Sequence, residues 1–204
     1  MSFGAIVLII TAVLVFCGLL QRVLDRMRLT DRQALAVIGM MLIGTFLPDI
    51  GWGAITVNIG GAIIPLCICG YLLVKAETRK ERFRTILGSL ASALAVYLLN
   101  IMLPAEAEAL PLDPIWVNGI CGGIIAWVIG RSRRGAFVCG IMGVILADVS
   151  NAIITYLQGY QTELHLGSAG FADAAVISGL TAVLLCEVIG ETIERFCRKF
   201  ENRG

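Results

Sequence analysis

Long stretches of this chain carry no charge, and that feature restricts its fold more than any other. Residues 1–21, 33–48, 50–74, 85–105 and 114–130 hold no Asp, Glu, Lys or Arg. The stretch 135–157 holds one charged residue, Asp148, and 171–190 holds two, Asp173 and Glu187. A helix of about 20 apolar residues crosses the hydrocarbon core of a bilayer, and a helix satisfies its own backbone there. The spacing predicts an all-α fold, a polytopic transmembrane helix bundle of about seven spans in a single domain. The spans fall at 2–20, 34–48, 55–74, 86–103, 115–130, 136–157 and 171–191. The second is short because Pro48 and Asp49 stop it.

Composition agrees. Soluble domains carry about a quarter charged residues, whereas this chain carries 15%, with 58% hydrophobic residues and a mean hydropathy of +0.87. A water-soluble enzyme, a nucleic-acid-binding domain and a disordered chain are all excluded. The net charge is +1, but its distribution says more than its sum. Arg22, Arg26, Arg28 and Arg32 follow the first span, and Lys75, Arg79, Lys80, Arg82 and Arg84 follow the third. Arg131, Arg133 and Arg134 follow the fifth, and Arg195, Arg198, Lys199 and Arg203 follow the seventh, which accounts for all 16 basic residues. The other connectors hold Asp49, then Glu106, Glu108 and Asp113, then Glu163 and His165. Under the positive-inside rule the N-terminus lies outside and the C-terminus in the cytoplasm of a multi-pass cytoplasmic-membrane protein.

The first span has no basic region before it and reads as a retained helix rather than a leader. The basic segments 21–33 and 192–204 read as cytoplasmic-face extensions held by anionic lipid, with Phe196 and Phe200 touching the interface. The bilayer is therefore the expected partner and nucleic acid is not. All seven cysteines fall in spans or on the inner side, which suits packing rather than a disulfide framework. Small residues recur at i, i+4 in Gly88/Ser92, Gly119/Gly123, Gly122/Ala126 and Ala126/Gly130. Such faces let helices approach closely, within the chain by default and between copies in a homo-oligomer as the lesser use.

Polar residues inside the apolar stretches carry the functional information. Asp148 sits near the middle of the sixth span, and helical spacing puts Asn151 and Thr155 on its face. A charge at the bilayer centre costs about 2.5–3.5 kcal/mol on insertion scales, so it faces the bundle interior or a wet cavity. The bland use of such an Asp is to tie helices together. Asp173 opens the seventh span after the small residues Gly167-Ser168-Ala169-Gly170, where a re-entrant backbone would bring it to the depth of Asp148. Asn58, Gly60, Gly61 and Pro65 interrupt the third span, a pattern that marks midplane binding sites in transporters. Spans two–three and six–seven both turn outside over Gly-rich sequence, the outline of a parallel repeat. Glu187, near the inner end of the seventh span, is expected to snorkel to the interface.

Three segments carry a resemblance. NIGGAIIPLCICGYLL, GVILADVSN and LGSAGFADAAVISGLTAVLL are similar to stretches of an uncharacterised bacterial and archaeal polytopic membrane family classed as a domain of unknown function. The similarity runs over roughly residues 50–190 and implies a prokaryotic membrane protein but no reaction. Asp148 and Asp173 also resemble the paired aspartates of intramembrane aspartyl proteases of the presenilin and prepilin-peptidase type. That resemblance implies one carboxyl acting as base on water while the other acts as acid. Here the second motif reads Gly-Phe-Ala-Asp rather than Gly-x-Gly-Asp, and the connector before it falls on the outer side.

Three readings follow. The first is small-solute or proton-linked transport through Asp148, Asn151, Thr155 and the broken third span. The second is an intramembrane aspartyl hydrolase using Asp148 and Asp173. The third is a non-catalytic scaffold in which the aspartates fix packing. No cofactor motif is present, and the ligand types are too few for a metal site.

Overall fold

In the computed structural model, residues 31–76, 78–102, 114–130, 132–159, 163–167 and 173–201 are described. The span at 2–20, most of the basic segment 21–33, the connector with Glu106, Glu108 and Asp113, and the side chains of the tail lie outside them. The helices are α1 (Asp31–Thr45), α2 (Ile64–Val74), α3 (Arg79–Met102), α4 (Pro114–Gly130), α5 (Arg133–Leu157) and α6 (Ala174–Glu201). Three short strands, β1 (Ile50–Trp52), β2 (Ile55–Val57) and β3 (Leu164–Leu166), form one sheet.

Helix starts follow the polar punctuation between the apolar runs. Thr78 Oγ1 accepts from Glu81 N–H at 3.1 Å, the start of a Thr-x-x-Glu capping sequence. Ser132 Oγ accepts from Gly135 N–H at 3.0 Å, and Asp173 Oδ1 from Ala175 N–H at 3.0 Å. Each cap satisfies one of the amide donors that the first helical turn leaves over. Pro114 opens α4, where its missing N–H costs nothing.

The third expected span is not helical from its start. Residues 55–57 are strand, and Ile59–Ile63 then form one π-helical turn before α2. The cause is local. Pro65 stands at the start of α2 without an N–H to donate, so the ladder re-registers, and Asn58 O accepts from both Ala62 N–H and Ile63 N–H.

Close approaches at glycine give the direction of packing. A Cβ on Gly119 would lie 2.7 Å from Ile177, and one on Gly123 would lie 2.6 Å from Thr181. The equal steps mean that α4 and α6 run in the same direction. Gly88 meets Cys139 and Gly143 meets Ser92, so α3 and α5 also run together. The four helices form an up-down bundle whose interior holds mostly small residues and whose outside is large and apolar. Phe83, Leu87, Leu90, Leu94, Leu98 and Ile101 stand exposed along one face of α3, with Ile120, Ile124 and Val128 on α4. Soluble proteins do not leave such continuous apolar faces to water. By length and composition α3 and α5 can each cross a membrane, and the apolar stretches Ile59–Val74, Ile115–Gly130 and Ala174–Gly190 are shorter.

The connectors sort by end. At one end Arg84 Nη2 donates to Gly130 O at 3.3 Å, Arg134 Nη1 to Lys75 O at 3.2 Å, and Ser132 Oγ to Glu81 Oε1 at 3.3 Å. At the other end lie Asp49, Glu163, Asp173 and the sheet. Here β1 pairs antiparallel with β2, and β2 pairs parallel with β3 in the register Ile55↔Leu164 to Val57↔Leu166. The loops after α1 and after α5 thus share one sheet, and each leads through an Asx cap, Asn58 or Asp173, into a helix running back.

Candidate functional site

The acidic end is assembled from four segments. Asn58 is its hub: Oδ1 accepts from Gly61 N–H at 2.9 Å, and Nδ2 donates to Asp49 Oδ1 at 2.7 Å. Its backbone N–H donates to Leu166 O at 2.9 Å. Gly60 lets the π turn lie directly on α1, since a Cβ there would sit 2.4 Å from Met41 O and 2.5 Å from Thr45 N. Gly167, at φ 71°, approaches the Gly61–Ala62 peptide, where a Cβ would lie 2.5 Å from Gly61 C; a side chain would be both strained and obstructed. Asn58→Ala removes both side-chain bonds and leaves Gly61 N–H uncapped. Its expected cost is about 1–2 kcal/mol, read as a lower midpoint of thermal unfolding in detergent micelles.

Asp148 and Asp173 come within electrostatic reach of one another. Asp173 stands at the start of α6, with Oδ1 on the Ala175 amide and its carbonyl taking the Ile177 N–H. Asp148 is half-buried on α5, and among the described residues no hydrogen bond to its carboxyl is found. The α5 residues beyond it leave the bundle. Asn151 is exposed, and the Thr155 hydroxyl donates to Asn151 O at 2.8 Å. On the helix face that Asp148, Asn151 and Thr155 share, Asp148 and Thr155 are half-buried and Asn151 is exposed. Pro65 is buried at the foot of α2, and Leu166 packs against the core cluster that contains Ala147. The broken third span and Asp148 therefore belong to one region.

Three polar atoms in this region escape a reading of the sequence. Ser92 Oγ, Asn118 Oδ1 and Ser178 Oγ are buried without a hydrogen-bond partner among the described residues. Ser92 and Ser178 are both 0% exposed. Each unsatisfied buried group costs about 1–3 kcal/mol. Serines among small residues read as packing residues in a sequence, because their neighbours on other helices are not visible there. Gly122 faces Ser178, Val144 and Val96 together. One turn outward from Gly122 is Asn118, and one turn outward from Val144 is Asp148. Asn118 and Asp148 therefore share a level.

Two further constellations leave no signal in the sequence. The Thr56 hydroxyl is hydrogen-bonded to His165 Nδ1 across the β2–β3 pair, and His165 Nε2 lies 3.2 Å from Glu163 Oε2. This exposed array ties the parallel strands together through their side chains. Glu187, expected to snorkel, instead receives a hydrogen bond from Arg133 Nε at 2.5 Å, with side chains only 16% and 19% exposed for Arg133 and Glu187. Glu187→Gln leaves the Arg133 charge half-buried without its counter-ion, and an unfolding midpoint in micelles should report a loss of about 1–3 kcal/mol. Among the described residues no group of three or more His, Cys, Asp or Glu converges as for a metal ion.

An exterior of large apolar side chains around an interior of small and hydroxyl-bearing ones, with charge held at the two ends, defines an integral membrane helix bundle. The chain belongs to the YphA-like integral membrane protein family, whose family model matches residues 26–203. No curated protein and no solved structure matches it. Membership agrees with the expected kind of family, a membrane one, and by itself shows no similarity to the domain-of-unknown-function family or to the aspartyl proteases.

Proposed function

We propose that the protein is a seven-span, proton-linked membrane transporter or channel, its N-terminus outside and its C-terminus in the cytoplasm, with Asp148 as the proton-accepting group. The observation that carries this reading is the Asp148 carboxyl, half-buried within a span, within electrostatic reach of Asp173 and level with the buried amide oxygen of Asn118. A carboxyl in that setting changes charge at little structural cost, because no salt bridge must break. The clustering of basic connectors at one end supports the orientation, since the positive-inside rule assigns that end to the cytoplasm. Asn58, Gly60, Gly61 and Pro65 build the outer wall of the site and hold the π turn against α1. The test is proton flux down an imposed pH gradient in proteoliposomes, compared with protein-free vesicles; equal rates would remove the reading.

A second reading, an aspartyl hydrolase, draws on the electrostatic coupling of the two carboxyls. Against it stands Asp173 Oδ1, engaged on the Ala175 amide as a helix cap. Cleavage of a transmembrane peptide that is lost in both Asp148→Asn and Asp173→Asn would favour this reading over transport.

A further inference from the structure

Residues 75–78 join α2 to α3 at the basic end, but above that connection the two helices do not close on each other. One side of α3 is turned to α4, where Arg84 reaches Gly130 O and Gly88 lies against Ile129. The side turned to α2 carries Arg79, Arg82, Ile86 and Leu90, which follow one another at steps of three and four residues. Ile86 and Leu90 remain 46% and 55% exposed. On α2, Ile64 packs toward Met41 of α1, while Cys69 and Leu72 join the core cluster with residues of α5. A Cβ on Gly70 would point away from both, and among the described residues nothing lies within 4 Å of it. The facing sides of α2 and α3 therefore bound an open groove, with α5 as its floor.

Arg82 stands at the basic mouth of this groove. Its Nε donates to Leu73 O and its Nη2 to Val74 O, both at 3.0 Å, which fixes the guanidinium between the two helices. A guanidinium has five N–H groups, so three remain for another acceptor. Arg79 lies one turn before it, exposed, in the first turn of α3. The helix dipole opposes a cation at that place and favours an anion. Glu81, the acidic residue of the same turn, is turned to Ser132, whose Oγ donates to it. Among the described residues neither Arg79 nor the three free donors of Arg82 has an acceptor.

Water does not fill an apolar groove, and an empty one forfeits the contacts of its lining. In a bilayer the filling is an acyl chain. A chain alone would suit any lipid, but the cations at the mouth discriminate among headgroups. Guanidinium binds phosphate oxygens through paired, charge-assisted hydrogen bonds, and basic pockets between membrane helices take anionic headgroups. A zwitterionic headgroup brings its own cation beside Arg79 and Arg82, whereas an anionic one does not.

We propose that the α2–α3 groove binds one anionic glycerophospholipid, its headgroup on Arg79 and Arg82 and one acyl chain along Gly70, Ile86 and Leu90. The site needs only a bilayer around the bundle and stands apart from proton flux through Asp148. The test is native mass spectrometry of the full chain in detergent, titrated with phosphatidylglycerol or with phosphatidylcholine of the same acyl chains. Phosphatidylglycerol should occupy one site per chain with at least tenfold higher affinity, and equal affinities would overturn the proposal. Arg79→Gln removes a charge without touching the Arg82 bonds and should cut that preference at least threefold. Gly70→Leu fills the groove and should abolish the site while the unfolding midpoint is kept. Leu94→Phe, on the outward face of α3, should change nothing. A preference that survives either Arg79→Gln or Gly70→Leu undiminished would overturn the site. So would a preference lost equally in Leu94→Phe, because binding would then belong to the whole apolar surface.

Discussion

Asp148→Asn is expected to reduce proton flux in proteoliposomes to the level of protein-free vesicles while leaving the bundle folded. The side chains are nearly isosteric, so the packing of α5 is preserved. What changes is the ability to take up and release a proton. A charge held inside the membrane costs about 2.5–3.5 kcal/mol on insertion scales, so the neutral amide should leave stability equal or higher. A structural aspartate, tying helices by its charge, would behave in the opposite way and lose stability with the substitution. Asp173→Asn is the companion. Asn caps a helix as well as Asp does, so Ala175 N–H remains satisfied and the start of α6 is kept. Loss of flux in that variant with the fold retained would assign Asp173 a role beyond its cap. Unchanged flux in Asp148→Asn would take that carboxyl out of the pathway.

Gly60→Ala is the substitution with the largest expected effect on stability. The π turn rests on α1 through the space where its side chain would be, and the obstructing atoms, Met41 O and Thr45 N, are backbone on a different helix. Neither can rotate away. Alanine must therefore separate α1 from the π turn and disturb the Asn58 hub beside it. Overpacking of this kind costs about 3 kcal/mol or more, several times any gain in helix propensity. Gly70→Ala on α2 is the matched control, because nothing lies within 4 Å of a Cβ there. It should be neutral or up to about 1 kcal/mol more stable. Equal unfolding midpoints for the two variants in detergent would contradict the close contact between α1 and the π turn.

Local features of the fold are legible in the amino-acid order alone. The charge-free runs mark α4 and α5 to within a few residues, whereas α3 begins inside the charged connector at Arg79, α6 runs on as helix to Glu201 and segment 55–57 is strand. Asp148 and Asp173 are identifiable as residues because a carboxyl in an apolar run stands out by composition. Gly60, Gly61 and Pro65 stand out for the same reason, although Pro65 signals a re-registered turn rather than a simple break. The strands are not legible. Three residues are too few for a two-residue alternation to show, and β2 and β3 find each other across more than a hundred residues. The half-buried ion pair of Glu187 escapes notice because Arg133, on another helix, reads in sequence only as part of a basic connector.

The class of the molecule and the order of its parts are thus written into the chain locally. Charge-free length and the placement of basic residues are properties of single segments, and the bilayer acts on each segment separately. Which polar atoms meet is a property of the packed bundle. Whether Asp148 faces Asp173, or Ser178 meets Gly122, depends on the rotation and depth of each helix. Those are set by close contacts such as Gly119 on Ile177 and Gly143 on Ser92, between residues dozens of positions apart in the chain. A one-residue change of register turns a helix by about 100° and would send the same carboxyl to lipid.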